Sequence, residues 1–196
     1  MTPNNKNLSE LFDTLFTVIH KLDTAEIKYM ITGSVAGFIW GIQRFTQDID
    51  IVISTDNITR DIICKIFPES EYYISETALD NIFSGKETIF NIIELENYNK
   101  IDLIALDRSE YSKVRFQNRK KVNFEKSEIW VISPEDLVLS KLNWLKSSGS
   151  EQQRNDITAI VDLIDLDTEY IGDWAKKLGT FEIWQNLSTH HKKHTR

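Results

Sequence analysis

Cysteine is almost absent from this sequence, with Cys64 the single one among 196 residues. One thiol cannot form an intramolecular disulfide, and it gives little support to zinc or thiol redox chemistry. Because Ile62, Ile63 and Ile66 surround Cys64 in the chain, we expect it to be a buried core thiol.

Long apolar runs are also absent. No stretch approaches the roughly 18 residues that a membrane-spanning helix needs, and the first nine residues lack the basic-then-apolar order of a signal peptide. Only three prolines and seven glycines are present, and they form no low-complexity linker. We therefore expect a cytoplasmic protein with one domain, or one domain with a helical appendix.

Positively charged residues are too few to balance the acids, and the net charge is −7. An acidic net charge argues against a general nucleic-acid binder, which would usually be basic. The exception is the segment from Arg108 to Lys126, which carries seven basic residues against two acids. Two interpretations stay open for this segment. It is either a solvated protein face or a basic surface that binds an anionic substrate.

The hydrophobic pattern divides the chain into two parts. Residues 29–32, 48–53, 88–94, 101–106, 121–124 and 129–132 have the short apolar pattern of strands. Ser133 and Pro134, followed by two acids, form a strong helix start. The pattern from there to Leu187 is helical. A mixed α/β half, 1–132, is therefore followed by a helical half, 133–196.

Two features of the first half indicate chemistry. Gly33 and Ser34 lie between a strand and a helix, where glycine allows a tight turn and the following N–H groups can face an anion. Asp48 and Asp50 lie two positions apart in an apolar strand, so their carboxylates should point to the same side. Two like charges held together favour a bound cation, and Mg²⁺ prefers carboxylate oxygens and phosphates. The pattern predicts a phosphate-handling enzyme.

Asp102 is a third candidate ligand because it lies in the apolar strand 101–106. If that strand is beside the strand of Asp48 and Asp50, three carboxylates could hold two metal ions about 3.5–4 Å apart. Each acid could instead be an exposed acid on an edge strand. Asp107 is a nearby competitor for the third position.

The stretch of Gly33, Ser34, Gly41, Arg44, Thr46, Asp48 and Asp50 resembles the signature of the polymerase-β-like nucleotidyltransferase superfamily. The resemblance implies that Gly33 and Ser34 bind a nucleoside triphosphate and that Asp48, Asp50 and Asp102 bind two Mg²⁺ ions. Arg44 and Thr46 would support the loop that precedes the metal-binding aspartates. Arg44 could instead be an ordinary surface arginine. The implied fold is a mixed, largely antiparallel α/β sheet flanked by helices, followed by a C-terminal helical subdomain.

The helical half resembles abortive-infection (AbiEii-like) and related bacterial nucleotidyltransferases through Ser133–Leu137, Lys141–Leu142 and Arg154–Asp156. By this resemblance Lys141 would hold the nucleotide phosphates, and Asp156 would orient Lys141 or Arg154. The helical neighbours of Lys141 are apolar, so its amine should face a cleft or snorkel past its edge.

The implied reaction moves a nucleoside monophosphate from an NTP to an acceptor, which could be RNA, a protein or a small molecule such as an antibiotic. A toxin of a toxin–antitoxin or phage-defence pair fits the resemblance, with an antitoxin protein as its partner. The alternatives are an antibiotic nucleotidyltransferase and a non-catalytic protein of the same fold that binds nucleotide or a partner.

Overall fold

The structure is a computed structural model that describes residues 3–44, 48–56, 58–125 and 127–191, with side chains described within 8–188. The chain packs as two compact units. The first, here the sheet unit, combines Met1–Val35 with Phe45–Val131, and the second, here the helical unit, combines Ala36–Arg44 with Ile132–Arg196. The division of the sequence into 1–132 and 133–196 stays a prediction.

Within the described residues there are seven strands and nine helices, which confirms the mixed α/β class. The strands are β1 (Tyr29–Thr32), β2 (Asp48–Ile53), β3 (Tyr72–Ile74), β4 (Ile89–Glu94), β5 (Lys100–Ala105), β6 (Lys120–Phe124) and β7 (Ser127–Val131). The helices are α1 (Pro3–Thr24), α2 (Gly33–Ile39), α3 (Arg60–Ile66), α4 (Glu76–Phe83), α5 (Glu110–Gln117), α6 (Pro134–Ser148), α7 (Glu151–Leu163), α8 (Thr168–Leu178) and α9 (Phe181–His191).

All seven strands form one sheet in the order β3-β4-β5-β2-β1-β7-β6. Neighbouring strands are antiparallel except for two parallel pairs, β1–β7 and β2–β5, so the sheet is largely antiparallel as expected. The central strands β1 and β2 carry apolar side chains that are almost fully buried, apart from the acids of β2. These acids therefore interrupt an otherwise apolar sheet centre.

Helix α1, which is part of the sheet unit, buries an apolar stripe that includes Leu11, Leu15, Val18 and Leu22. These residues recur at three- and four-residue spacing, as one face of a helix requires. The amide of Asn99 also donates to the Thr14 hydroxyl at 2.8 Å, which attaches the helix to the start of β5.

Local capping explains where several helices begin. Ser75 and Ser133 accept hydrogen bonds from the backbone N–H groups of Ala78 and Asp136, as the sequence predicted for Ser133. Helix α3 begins at Arg60 with Thr59 as its cap. Cys64 lies on the exposed side of α3, so its predicted burial is wrong; on this helix Ile63 is the residue that enters the core.

The helical unit is built from α6, α7, α8 and α9, which pack against one another. The carboxylate of Asp136 is fully buried and accepts hydrogen bonds from the Ser133 and Tyr170 hydroxyls, each at 2.8 Å. The indole N–H of Trp40 donates to the Ile132 carbonyl at 2.9 Å, which attaches residues 36–44 to the start of α6. No helix in the described part of the chain combines the length and hydropathy needed to cross a membrane.

Candidate functional site

Strands β2 and β5 lie side by side and run parallel, with Asp50 opposite Asp102 and Asp48 opposite Lys100. Residues in register on neighbouring strands share a sheet face, and so do residues two apart on one strand. All four charged side chains therefore emerge from the same face of the sheet. Here we call this group the carboxylate face.

Exposure differs among the three acids. Asp48 is exposed at the start of β2 and Asp50 is partly buried, whereas the side chain of Asp102 retains 17% of its accessible surface. The Oδ1 atom of Asp102 is buried and has no hydrogen-bond partner among the described residues. A buried carboxylate oxygen without a partner is costly, so Asp102 is the acid most in need of a ligand.

Lys100 supplies a positive charge among these acids, and the sequence interpretation missed it. Its Nζ donates to Asp102 Oδ2 at 2.9 Å. The pKa of Lys100 is raised chiefly by this hydrogen bond and further by the charges of Asp102, Asp48 and Asp50, while burial acts in the opposite direction. The signal in the sequence was the spacing, because Lys100 precedes Asp102 by two positions on one strand.

Gly33 brings the backbone that follows β1 against Asp50. Its φ of +64° lies in the left-handed region, and a Cβ built on it would lie 1.9 Å from Asp50 Oδ2. Thr32 and Asp50 are also in register on antiparallel strands. The glycine is thus required both by backbone conformation and by the approach of a carboxylate. Gly33 and Ser34 are partly exposed beside this acid.

The three acids share a face, yet no group of three or more His, Cys, Asp or Glu side chains is arranged to hold a metal ion within the described ranges. Asp102 is engaged by Lys100, and Asp50 Oδ2 is turned against Gly33. The donor set nevertheless fits a hard divalent cation, because it consists of carboxylates and includes the unpartnered Asp102 Oδ1.

Asp107, the competitor for the third position, is used elsewhere. Its carboxylate accepts hydrogen bonds from the Ser109 N–H at 2.8 Å and from the Ser112 hydroxyl, so it orders the turn into α5. Burial acts to raise the pKa of Asp107, but these hydrogen bonds and the charge of Arg115 outweigh it and leave the pKa lowered.

Lys141 belongs to a separate cluster within the helical unit. Its Nζ is buried and donates to Asp156 Oδ2 at 2.6 Å and to Gln153 Oε1 at 3.3 Å. Of the two alternatives for Lys141, a cleft-facing amine or snorkelling, snorkelling is therefore not seen. Arg44 joins the cluster with its Nε 3.5 Å from Asp156 Oδ1, and Gln152 accepts from the Arg44 guanidinium when its amide oxygen is turned toward it.

The other predicted residues lie outside both clusters. Arg154 pairs with Glu151 on the exposed side of α7, at 3.3 Å. Thr46 lies outside the described residues. The structure thus brings Lys141, Asp156 and Arg44 together but leaves Arg154 apart.

Much of the basic segment from Arg108 to Lys126 is occupied by internal contacts. The guanidinium of Arg119 lies 4.3 Å and 4.6 Å from the ring centres of Phe116 and Trp130, and Lys121 pairs with Glu128 at 2.6 Å. Lys126 lies outside the described residues. These contacts favour a structural role for part of the segment, beside exposed residues such as Lys113 and Lys120.

Comparison with known proteins places this arrangement in context. The family described as "Nucleotidyl transferase of unknown function (DUF2204)" matches residues 11–179. Among the curated proteins, none matches this chain.

Solved structures share the fold at low sequence identity. An antigenic nucleotidyltransferase-like protein from Paracoccidioides brasiliensis is 20% identical, with a TM-score of 0.58 and coverage of 92% of this chain and 93% of the other. The lincomycin-bound lincosamide antibiotic adenylyltransferase LnuA is 17% identical, with a TM-score of 0.54 and coverage of 76% and 96%. The antibiotic-resistance factor ANT(2'')-Ia is 12% identical, with a TM-score of 0.58 and coverage of 97% and 100%.

Proposed function

Because this chain belongs to the family of nucleotidyl transferases of unknown function, we propose that it transfers a nucleoside monophosphate from an NTP to an acceptor at the carboxylate face. The observation that carries the proposal is the register of Asp50 with Asp102 beside the close approach of Gly33 to Asp50. This arrangement puts the acids next to the backbone turn at Gly33, which is where we propose that the triphosphate binds.

In the proposed reaction an acceptor oxygen forms a bond to the α-phosphorus as the bond from that phosphorus to the leaving pyrophosphate breaks. The proton of the acceptor hydroxyl is released in the same step. Asp48, Asp50 and Asp102 would hold two Mg²⁺ ions, which would neutralise phosphate charge and lower the pKa of the acceptor hydroxyl.

The residues of the chain have distinct proposed tasks. Gly33 provides the tight turn that would present the following backbone N–H groups to the triphosphate, and Ser34 offers a hydroxyl donor. Asp102 Oδ1, which has no hydrogen-bond partner in the part of the chain that the structure describes, supports the assignment of Asp102 as a ligand, since a cation would satisfy it.

Lys141 and Arg44 are proposed to bind nucleotide phosphates, with Asp156 orienting Lys141 or Arg154. Two cations share one carboxylate in this cluster, at 2.6 Å and 3.5 Å. Arg154 and Thr46 keep the supporting roles that the family resemblance implies, as proposals only.

The acceptor defines the biological role. A toxin of a toxin–antitoxin or phage-defence pair would modify RNA or protein and bind an antitoxin. A small-molecule acceptor is the second candidate, and it is favoured by the fold shared with a lincosamide antibiotic adenylyltransferase and with an antibiotic-resistance factor. A non-catalytic binding protein would not need all three acids on one face, and their presence supports an enzyme.

The test is transfer of label from each α-labelled NTP, with Mg²⁺, to cellular RNA, cellular protein and a set of antibiotics. We expect label in one acceptor class, and none after EDTA or with Asp50→Asn. Asp107→Asn is the matched control, since it removes an acid that lies outside the carboxylate face. Equal labelling by the parent and Asp50→Asn would contradict the proposal, as would no labelling of any acceptor by the parent.

A further inference from the structure

Lys100 occupies an unusual position for a lysine. It starts β5 in register with Asp48, and its Nζ bonds to Asp102 Oδ2 at 2.9 Å. Lys100 and Asp102 point to the same face as Asp48 and Asp50, so the ammonium stands on the side of the sheet where three carboxylates emerge.

The ammonium offsets the repulsion among these acids when no metal is bound. Three carboxylates on two neighbouring strands repel one another unless a cation is near. Lys100 supplies one positive charge from within the chain. It engages Oδ2 of Asp102 and leaves Oδ1 buried and without a hydrogen bond in the described part of the chain.

The contact is one that a divalent cation can displace. The side chain of Lys100 is 40% exposed, and its flexible stem can carry the ammonium into solvent. A divalent cation carries twice the charge and binds carboxylate oxygen directly.

From this geometry we propose that Lys100 is an internal counter-cation that competes with the metal for Asp102. It holds the carboxylate face together in the metal-free protein and withdraws when Mg²⁺ binds with the NTP. Lys100 is therefore a positioning residue that sets the metal concentration at which the site fills. This inference rests on the proposed function, because it assumes that the acids bind metal.

The proposal explains why the acids do not form a ready metal group as the structure stands. Asp102 Oδ2 accepts the hydrogen bond from Lys100. Release of the lysine would free both oxygens of Asp102 for a cation. The tighter the lysine holds Asp102, the weaker the apparent metal affinity becomes.

The test is direct binding of Mn²⁺ and Mg²⁺, measured by calorimetry and by loss of the free Mn²⁺ signal in electron paramagnetic resonance. We expect Lys100→Met to bind metal roughly threefold to tenfold more tightly than the parent and to have a lower melting temperature without metal. Lys100→Arg keeps the charge and should bind metal like the parent. Lys86→Met is the matched control, an exposed lysine in the turn after α4.

Lys100→Gln serves as a second neutral variant that can still donate to Asp102, and circular dichroism at the titration temperature establishes that each variant is folded. If the parent binds metal and neither neutral variant binds it more tightly, the role of Lys100 is wrong while the proposed function stands. If neither the parent nor the variants bind metal, with or without NTP, both proposals are overturned. Tighter binding by Lys86→Met as well would also overturn the role of Lys100.

Discussion

Gly33 and Asp50 are in such close approach that a single methyl group on Gly33 would overlap the Asp50 carboxylate. Rotation of the side chain could move Oδ2, but Asp50 Cβ is 3.0 Å from the same point and is fixed by β2. The contact joins the backbone after β1 to the acid that the sequence predicted as a metal ligand.

Gly33→Ala should therefore destabilise the protein and abolish nucleotidyl transfer. The left-handed backbone alone costs about 1–2 kcal/mol for an alanine, and overpacking adds about 1–3 kcal/mol. The measurement is the free energy of unfolding in urea, together with label transfer.

Gly85→Ala is the control for that experiment. Gly85 has a φ of +73°, yet a Cβ there would meet nothing within 4 Å. It should show the backbone cost alone and keep full activity. Equal losses of stability in the two variants would mean that the contact with Asp50 is unimportant.

Asp50→Ala should remove transfer while the thermal stability of the metal-free protein stays unchanged or rises. The physical reason is that one of several mutually repelling carboxylates is deleted. Calorimetry without metal and the labelling assay measure the two effects. A fall of melting temperature as large as that of a buried-core variant would indicate a structural role for Asp50.

Asp156→Ala should be strongly destabilising, by about 3–5 kcal/mol, because it leaves Lys141 charged, buried and without its carboxylate. The pair Lys176–Asp173 on α8 is the matched control, since its Nζ–Oδ1 distance is 3.0 Å but both side chains are more than half exposed. Asp173→Ala should cost about 0–1 kcal/mol. Chemical denaturation of both variants is the measurement, and similar losses would contradict the claim that burial makes the difference.

Asp107 should contribute to stability in a pH-dependent way. Its pKa is lower in the folded protein than in the unfolded chain, where it is about 3.9. The folded state then binds fewer protons, so this contribution is present above that unfolded value and is lost as the pH falls through the folded pKa.

We expect Asp107→Asn to destabilise the protein by about 1 kcal/mol at pH 7, and by less at pH 3. Ser112→Ala, which deletes one hydrogen bond to the carboxylate, should reduce the pH dependence without removing it. Urea denaturation across this pH range measures both variants. A constant difference between the parent and Asp107→Asn would show that the charge of Asp107 is irrelevant.

The sequence predicted the centre of the sheet well because its signals are local and strong. The alternation around Asp50 and the apolar run of β1 are each read from a few consecutive residues. The serine caps at Ser75 and Ser133 are also local, since each cap bonds to an N–H three positions later.

Other elements escaped prediction for equally physical reasons. Strand β3 has three residues, too few to show a period, and it exists through pairing with β4. Helix α5 lies in the basic segment, where charged residues hide any apolar stripe. Its start depends on Ser109 as a cap and on Asp107 for the preceding turn.

The site was predictable in its acids but not in its arrangement. The chain predicts which residues are acidic and which share a strand, whereas the register of β2 with β5 is set by the whole sheet. Lys100 was missed for that reason, since a lysine at the start of a strand is usually a surface residue. The burial of Lys141 likewise depends on α7 folding back against α6.

The hydrogen bond from Trp40 to the Ile132 carbonyl has a practical consequence for dissecting the molecule. A recombinant fragment that begins at residue 132 would leave that carbonyl without its indole donor and would lose the Arg44 partner of Asp156. The four terminal helices should therefore aggregate or remain unstructured when expressed by themselves. Supplying a synthetic peptide of residues 36–44 in trans should restore part of their order.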